Sequence, residues 1–161
     1  MWRDKSKITH LIIHCAATPN GRHFTAEDID RWHKERGFRR DPADIGHHEP
    51  RLRHIGYHYV IYTNGAVRNG RSESEVGAHC QGMNTVSIGV CLIGTDRFTR
   101  HQWESLRAHV QAIQKRHPGI QICGHRQFAK KICPGFDVPA WLGGEMEPLA
   151  NHLCDIQLER S

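Results

Sequence analysis

The sequence predicts an α/β fold: a single domain with one mixed β-sheet flanked by helices. Three observations point there. Strand-like apolar runs alternate with helix-like amphipathic segments, which is the pattern of layered α/β folds. One hairpin signal, Asn64-Gly65, interrupts that alternation and adds antiparallel pairing. The 161 residues contain no internal repeat and no linker, and they suffice for one continuous core.

The elements follow in chain order. ITHLIIHC (8–15) is a β-branched apolar run ending in a turn-rich stretch, so it reads as a buried first strand. Side-chain alternation sends Ile12 and His14 to one face and Ile13 to the other. In TAEDIDRWHKERG (25–37), Thr25 precedes a helix as N-cap, with Asp28 three positions on. Acidic residues come early, basic residues late, and Gly37 follows. Residues 39–54 carry prolines and charges without periodicity and read as a long surface loop. IGYHYVIYTNGAVRNGR (55–71) is two strand-like halves around Asn64-Gly65, the signature of a type I′ hairpin.

TVSIGVCLIG (85–94) is a second central strand. Residues 99–119 place Trp103, Leu106, Val110 and Ile113 on one helical face, with Thr99 as cap and His117-Pro118-Gly119 as stop. IQIC (120–123) is a short strand and DVPAWLGG a brief helical turn begun by Asp137. Asp137 is read as a cap, or else as a partner for a ligand histidine, with the cap favoured. The tail, residues 142–161, is expected to be helical.

Composition narrows the function classes. Apolar content of 38% and charged content of 24% are those of a water-soluble globular protein, and no apolar run is long enough to span a membrane. The N-terminal stretch lacks a small-residue cleavage site and reads as a strand, not a secretory leader. A net charge of +5 suits either an ordinary basic surface or attraction to a polyanion, and no nucleic-acid signature accompanies it. Six cysteines occur without a C-x-x-C pair. Free thiols are expected, with Cys133 set apart by the residues around it.

Fourteen histidines raise metal chemistry. His14, Tyr57-His58 and the loop GHRQFAKKICPGFD (124–137) all fall at or just past strand ends. A hydrolytic zinc site needs three protein ligands and one open position. His14, His125 and Cys133 could supply two imidazoles and a thiolate. Spacing by itself also fits a core histidine at position 14, a solvated Lys131 and an ordinary strand tyrosine at 57. His23, His33, His47, His48, His54 and His117 read as surface or loop residues, and Trp32 and Trp103 as core.

The segments LIIHCAAT, IDRWHKERGF, IGYHYVIYTNGAVRNGR, VGAHCQGMNTVSIGVCLIG and HRQFAKKICPGFDVPAW, taken in that order, resemble the phage T7 lysozyme-like zinc N-acetylmuramoyl-L-alanine amidases, a family related to the peptidoglycan recognition proteins. The resemblance runs from about residue 8 to residue 141. It departs at the loop 39–54 and beyond Trp141. It implies that fold, one Zn2+ per chain held by His14, His125 and Cys133, catalytic Tyr57 and Lys131, and a substrate groove bordered by His79 and Asn84. The implied reaction is hydrolysis of the amide between N-acetylmuramic acid and L-alanine of peptidoglycan, as in an endolysin that degrades the wall and lyses the host. The implied protein is a monomer, made in the host cytoplasm and reaching the wall through a permeabilised membrane. Two alternatives travel with the resemblance: a non-catalytic peptidoglycan-binding module, and an added role as regulator of a phage RNA polymerase.

Overall fold

In the computed structural model, which describes residues 1–154, a five-stranded sheet organises the chain. The strands are β1 (His10–Cys15), β2 (Tyr59–Ile61), β3 (Val67–Asn69), β4 (Ser87–Leu92) and β5 (Gln121–Gly124), in the spatial order β3-β2-β4-β1-β5. β1 pairs in parallel with β4 and β5, β2 in parallel with β4, and only β2 with β3 is antiparallel. The sheet is mixed, as expected, and its three inner strands are the apolar ones.

Alternation along the strands divides the core into two layers. Leu11, Ile13, Ile61, Ile88, Val90 and Leu92 face α3 (Arg100–Arg116) and α4 (Val138–Gly143), packing on Trp103, Leu106, Val110, Ile113 and Trp141. Val60, Cys91 and Ile93 face the other way and pack with Ala26 and Ile29 of α1 (Ala26–Glu35) and with Leu52 and Ile55. Both long helices open with a reciprocal capping box, Thr25 with Asp28 and Thr99 with Gln102. Asp137 caps α4 by accepting from the Ala140 N–H at 3.0 Å.

Four expectations need correction. The hairpin is not type I′: Gly65 N–H donates to Tyr62 at 2.8 Å, and Gly65 (φ 88°), not Asn64, has a positive φ. That is a type I turn closed by a left-handed glycine, and the Asn64 side chain braces it by accepting from the Ala66 N–H. Residues 39–54 are not a plain surface loop. They contain a short helix, α2 (Pro42–Ile45), and fold around Arg40. That side chain is fully buried, bonds the Glu75 carboxylate at 2.8 and 3.0 Å, and donates to the carbonyls of His48, Glu49 and Leu52 at 2.7 Å each.

The tail through residue 154 is not a continuing helix. After Gly144, Glu145 and Met146 take positive φ, Pro148 follows, and only the single turn Ala150–His152 is helical. The chain is instead tied to Phe98, whose N–H donates to the His152 carbonyl and whose carbonyl accepts from the Cys154 N–H, both at 2.8 Å. The expectation for residues 155–161 lies outside the described residues. Finally, His33 is buried, not on the surface, and its Nδ1 accepts the Gly56 N–H at 2.9 Å.

Candidate metal centre

The parallel register brings two histidines together. Ile13 of β1 lies opposite Gly124 of β5, so the next residues, His14 still in β1 and His125 just past β5, lie side by side with ring centroids 4.5 Å apart. Both are buried. The third group arrives on the loop after β5. Arg126 N–H bonds the Cys133 carbonyl at 2.8 Å, which folds the loop back, and Gly135 at φ 91° lies so close to Thr95 that a Cβ would fall 2.1 Å from the Thr95 carbonyl oxygen. The sulfur of Cys133 ends 3.7 Å from His14 Nδ1 and accepts the Cys15 N–H at 3.2 Å. One donor atom from each of His14, His125 and Cys133 lies within 4.8 Å of the others.

The electrostatics suit cation binding. Burial, followed by the neighbouring charges of His125, Lys131 and His33, holds His14 well below its ordinary 6.5. Burial and then Lys131 lower His125 as well. Both rings are neutral at neutral pH and offer lone pairs. The Cys133 thiol is pushed up by its hydrogen bond with the Cys15 side chain and by burial, so it needs a cation to ionise. All six cysteines are free thiols.

The other expected residues surround this cluster. The ring of Tyr57 lies 5.1 Å from that of His14 and 5.3 Å from that of His33, centroid to centroid. Burial raises the Tyr57 hydroxyl well above 10, so it stays protonated. Lys131 is exposed, and its charge contributes to lowering both His14 and His125. His79 meets His14 directly, Nδ1 to Nε2, at 2.8 Å. Asn84 stands one step back: its side-chain oxygen accepts the N–H groups of His79 and Cys80, both at 2.9 Å.

Reading the sequence missed His33 and Ser87. His33 pins the backbone at Gly56, immediately before Tyr57, and Ser87 contacts His79 at 3.3 Å. His33 follows Ile29 by four positions on α1, so helical periodicity could have put it on the buried face. No local signal marked Ser87.

Comparison with known proteins identifies the family. Residues 4–136 match the family model described as N-acetylmuramoyl-L-alanine amidase. The endolysin of Escherichia phage T7 is 32% identical over 148 residues, 87% of this chain and 89% of the relative. The endolysin of Enterobacteria phage T3 is 33% identical over the same shares. Among solved structures, the amidase LysC from Clostridium intestinale URNW superposes with a TM-score of 0.70 at 24% identity, over 91% of this chain and 89% of that one. Drosophila PGRP-LB superposes with a TM-score of 0.68 at 22% identity, over 97% and 86%. At these identities the two structures bear on the fold alone.

Proposed function

Since the chain belongs to the N-acetylmuramoyl-L-alanine amidase family, we propose the residues with which it works: His14, His125 and Cys133 hold one zinc ion, and Tyr57 and Lys131 act on the bond being cut. The reaction is hydrolysis of the amide joining N-acetylmuramic acid to L-alanine in peptidoglycan, and the relatives in phages T7 and T3 are endolysins. The bacterial wall is therefore the target.

The observation that carries the assignment is the convergence of three donor atoms within 4.8 Å, from three separated positions of the chain. Imidazole and thiolate are both zinc ligands, and a set of three protein ligands leaves a fourth position open, as catalytic zinc requires. Zinc bound there supplies Lewis acidity, lowering the pKa of a bound water from 15.7 to about 7. The Cys15 N–H favours the thiolate form of Cys133 by donating to its sulfur. Tyr57, held as a phenol, donates its O–H toward the carbonyl oxygen as negative charge builds there. Lys131 places an ammonium by the same oxygen. His79 and Asn84 belong to the wall of the groove beside the ligands.

A non-catalytic peptidoglycan-binding module would have no need of a complete donor set, and here all three donors are present. Among the described residues no helix is long and apolar enough to cross a membrane. By analogy with the phage endolysins, the proposed route to the wall is through a membrane opened by another protein, after synthesis in the host cytoplasm. Mass spectrometry of digested sacculi tests the function. Stem peptides with a free L-alanine amino group are expected. Products cut only within the glycan or within the peptide would overturn it.

A further inference from the structure

His79 uses both ring nitrogens inside the protein. Its Nδ1 meets His14 Nε2 at 2.8 Å, and its Nε2 meets Ser87 Oγ at 3.3 Å. Ser87 Oγ lies 2.7 Å from the Met83 carbonyl oxygen. A carbonyl oxygen can only accept, so this end of the chain of contacts has a fixed direction. Ser87 spends its one proton on Met83 and accepts from His79 Nε2–H. The neutral His79 ring then has a bare Nδ1 that accepts, so His14 must carry its proton on Nε2. The lone pair of His14 is left on Nδ1, the nitrogen that faces the Cys133 sulfur.

The surroundings are shaped to hold the His79 ring in that place. A Cβ on Gly89 would fall 2.6–2.7 Å from three atoms of the ring, and one on Gly77 would fall 2.7 Å from its Cδ2. Any larger residue at either position would take the space the ring needs. The Asn84 oxygen fixes the backbone on both sides of the ring's attachment by accepting the His79 and Cys80 N–H groups. The His14 and His79 rings meet edge-on, with an interplanar angle of 87°.

We infer that His79 is a positioning residue: it relays the direction set by the Met83 carbonyl and locks His14 in the tautomer whose Nδ1 is free to bind a metal. The value of that lock to the enzyme rests on the zinc reading above, but the tautomer itself does not. A ligand histidine whose second nitrogen is held by a partner typically binds its metal about 10–100-fold more tightly than one without.

Two measurements test the inference. Long-range 1H–15N correlation spectra of the metal-free protein report which nitrogen of His14 carries the proton. Nε2–H in the wild type and a tautomer mixture in His79→Leu are expected. Zinc competition with a chromophoric chelator should show weakening of about 10–100-fold in His79→Leu and partial recovery in His79→Gln, whose amide oxygen can still accept. Gly89→Ala, which crowds the ring and leaves His79 in the sequence, should also weaken zinc binding and decides the matter if His79→Leu does not fold. Nδ1–H on His14 in the wild type, or zinc affinity unchanged in His79→Gln and Gly89→Ala together with an unchanged His14 spectrum, would overturn the inference. Wild-type protein that shows His14 Nε2–H yet binds no zinc would instead bring down the metal reading and leave the relay standing.

Discussion

The backbone N–H of Cys15 donates to the sulfur of Cys133 at 3.2 Å, across 118 positions of the chain. The last residue of β1 thus grips the loop that follows β5, and it does so next to His14. A peptide N–H aimed at sulfur stabilises a thiolate more than a thiol. This contact ties the fold to the chemistry of the site.

The purified protein is expected to hold one zinc ion per chain. Cys133→Ser should lower zinc affinity by more than the about 10–100-fold typical of losing an outer partner, because an alcohol replaces a thiolate ligand. Metal analysis and chelator competition measure both. Absence of zinc after mild purification, with no gain of activity on adding it, would contradict the ligand assignment.

Lys131→Ala should retain zinc while turnover on purified sacculi drops about 100- to 1,000-fold, the usual cost of removing one charge-stabilising donor. Lys130→Ala should stay near wild type, since the charge that reaches His14 and His125 is that of Lys131. The reverse pattern would show that the neighbouring lysine does the work.

The Arg40–Glu75 pair has no solvent exposure on either side chain. Arg40→Met leaves the buried Glu75 carboxylate with only the more distant Arg71 and should destabilise the fold by about 3–5 kcal/mol in urea unfolding. Adding Glu75→Leu should restore only part of that. Arg71, 3.7 Å from Glu75, would lose its counter-charge, and three carbonyls would still lack the Arg40 donor. A single variant as stable as wild type would show that the pair contributes little.

Metal-free protein should lose stability in two overlapping acid steps. Burial holds His33 at about 4 and His58 at about 3, below the ordinary 6.5. The unfolded chain therefore takes up these protons first. Their contribution is complete above pH 6.5 and is lost as pH falls toward 3–4. Glu73 supplies the second step. Burial would raise it, but hydrogen bonds from Tyr59, His117 and Arg116 outweigh burial and hold it at about 2, against an ordinary 4.5. Its contribution, up to about 3 kcal/mol, is complete above pH 4.5 and is lost on falling toward 2. Calorimetry across this range should show the loss, and Glu73→Gln should reduce the part that falls below pH 4.5 while leaving the part above it unchanged. A melting temperature constant between pH 6.5 and 4 would contradict the buried neutral histidines.

Much of the architecture could be read along the chain. The two central strands, the capping boxes begun by Thr25 and Thr99, and the buried stripe from Trp103 to Ile113 all depend on preferences that act within a few residues. Such preferences are written in contiguous sequence. The opposite facing of Ile13 and His14 followed from strand alternation in the same way. The metal triad was different. Its spacing alone was ambiguous, and it was named through the order of several motifs, not through any one of them.

The sequence by itself determined the local elements, the order of the motifs and the kind of donors available. Only the tertiary structure decided that Arg40 would be buried against Glu75, that His33 would hold the backbone before Tyr57, and that the tail would bind Phe98 in place of continuing a helix. It also decided that His79 would turn inward to His14. The reason is one of range: a side chain's partner is set by strand register and loop closure between segments tens of residues apart, and no pattern within either segment records which distant group completes its hydrogen bonds.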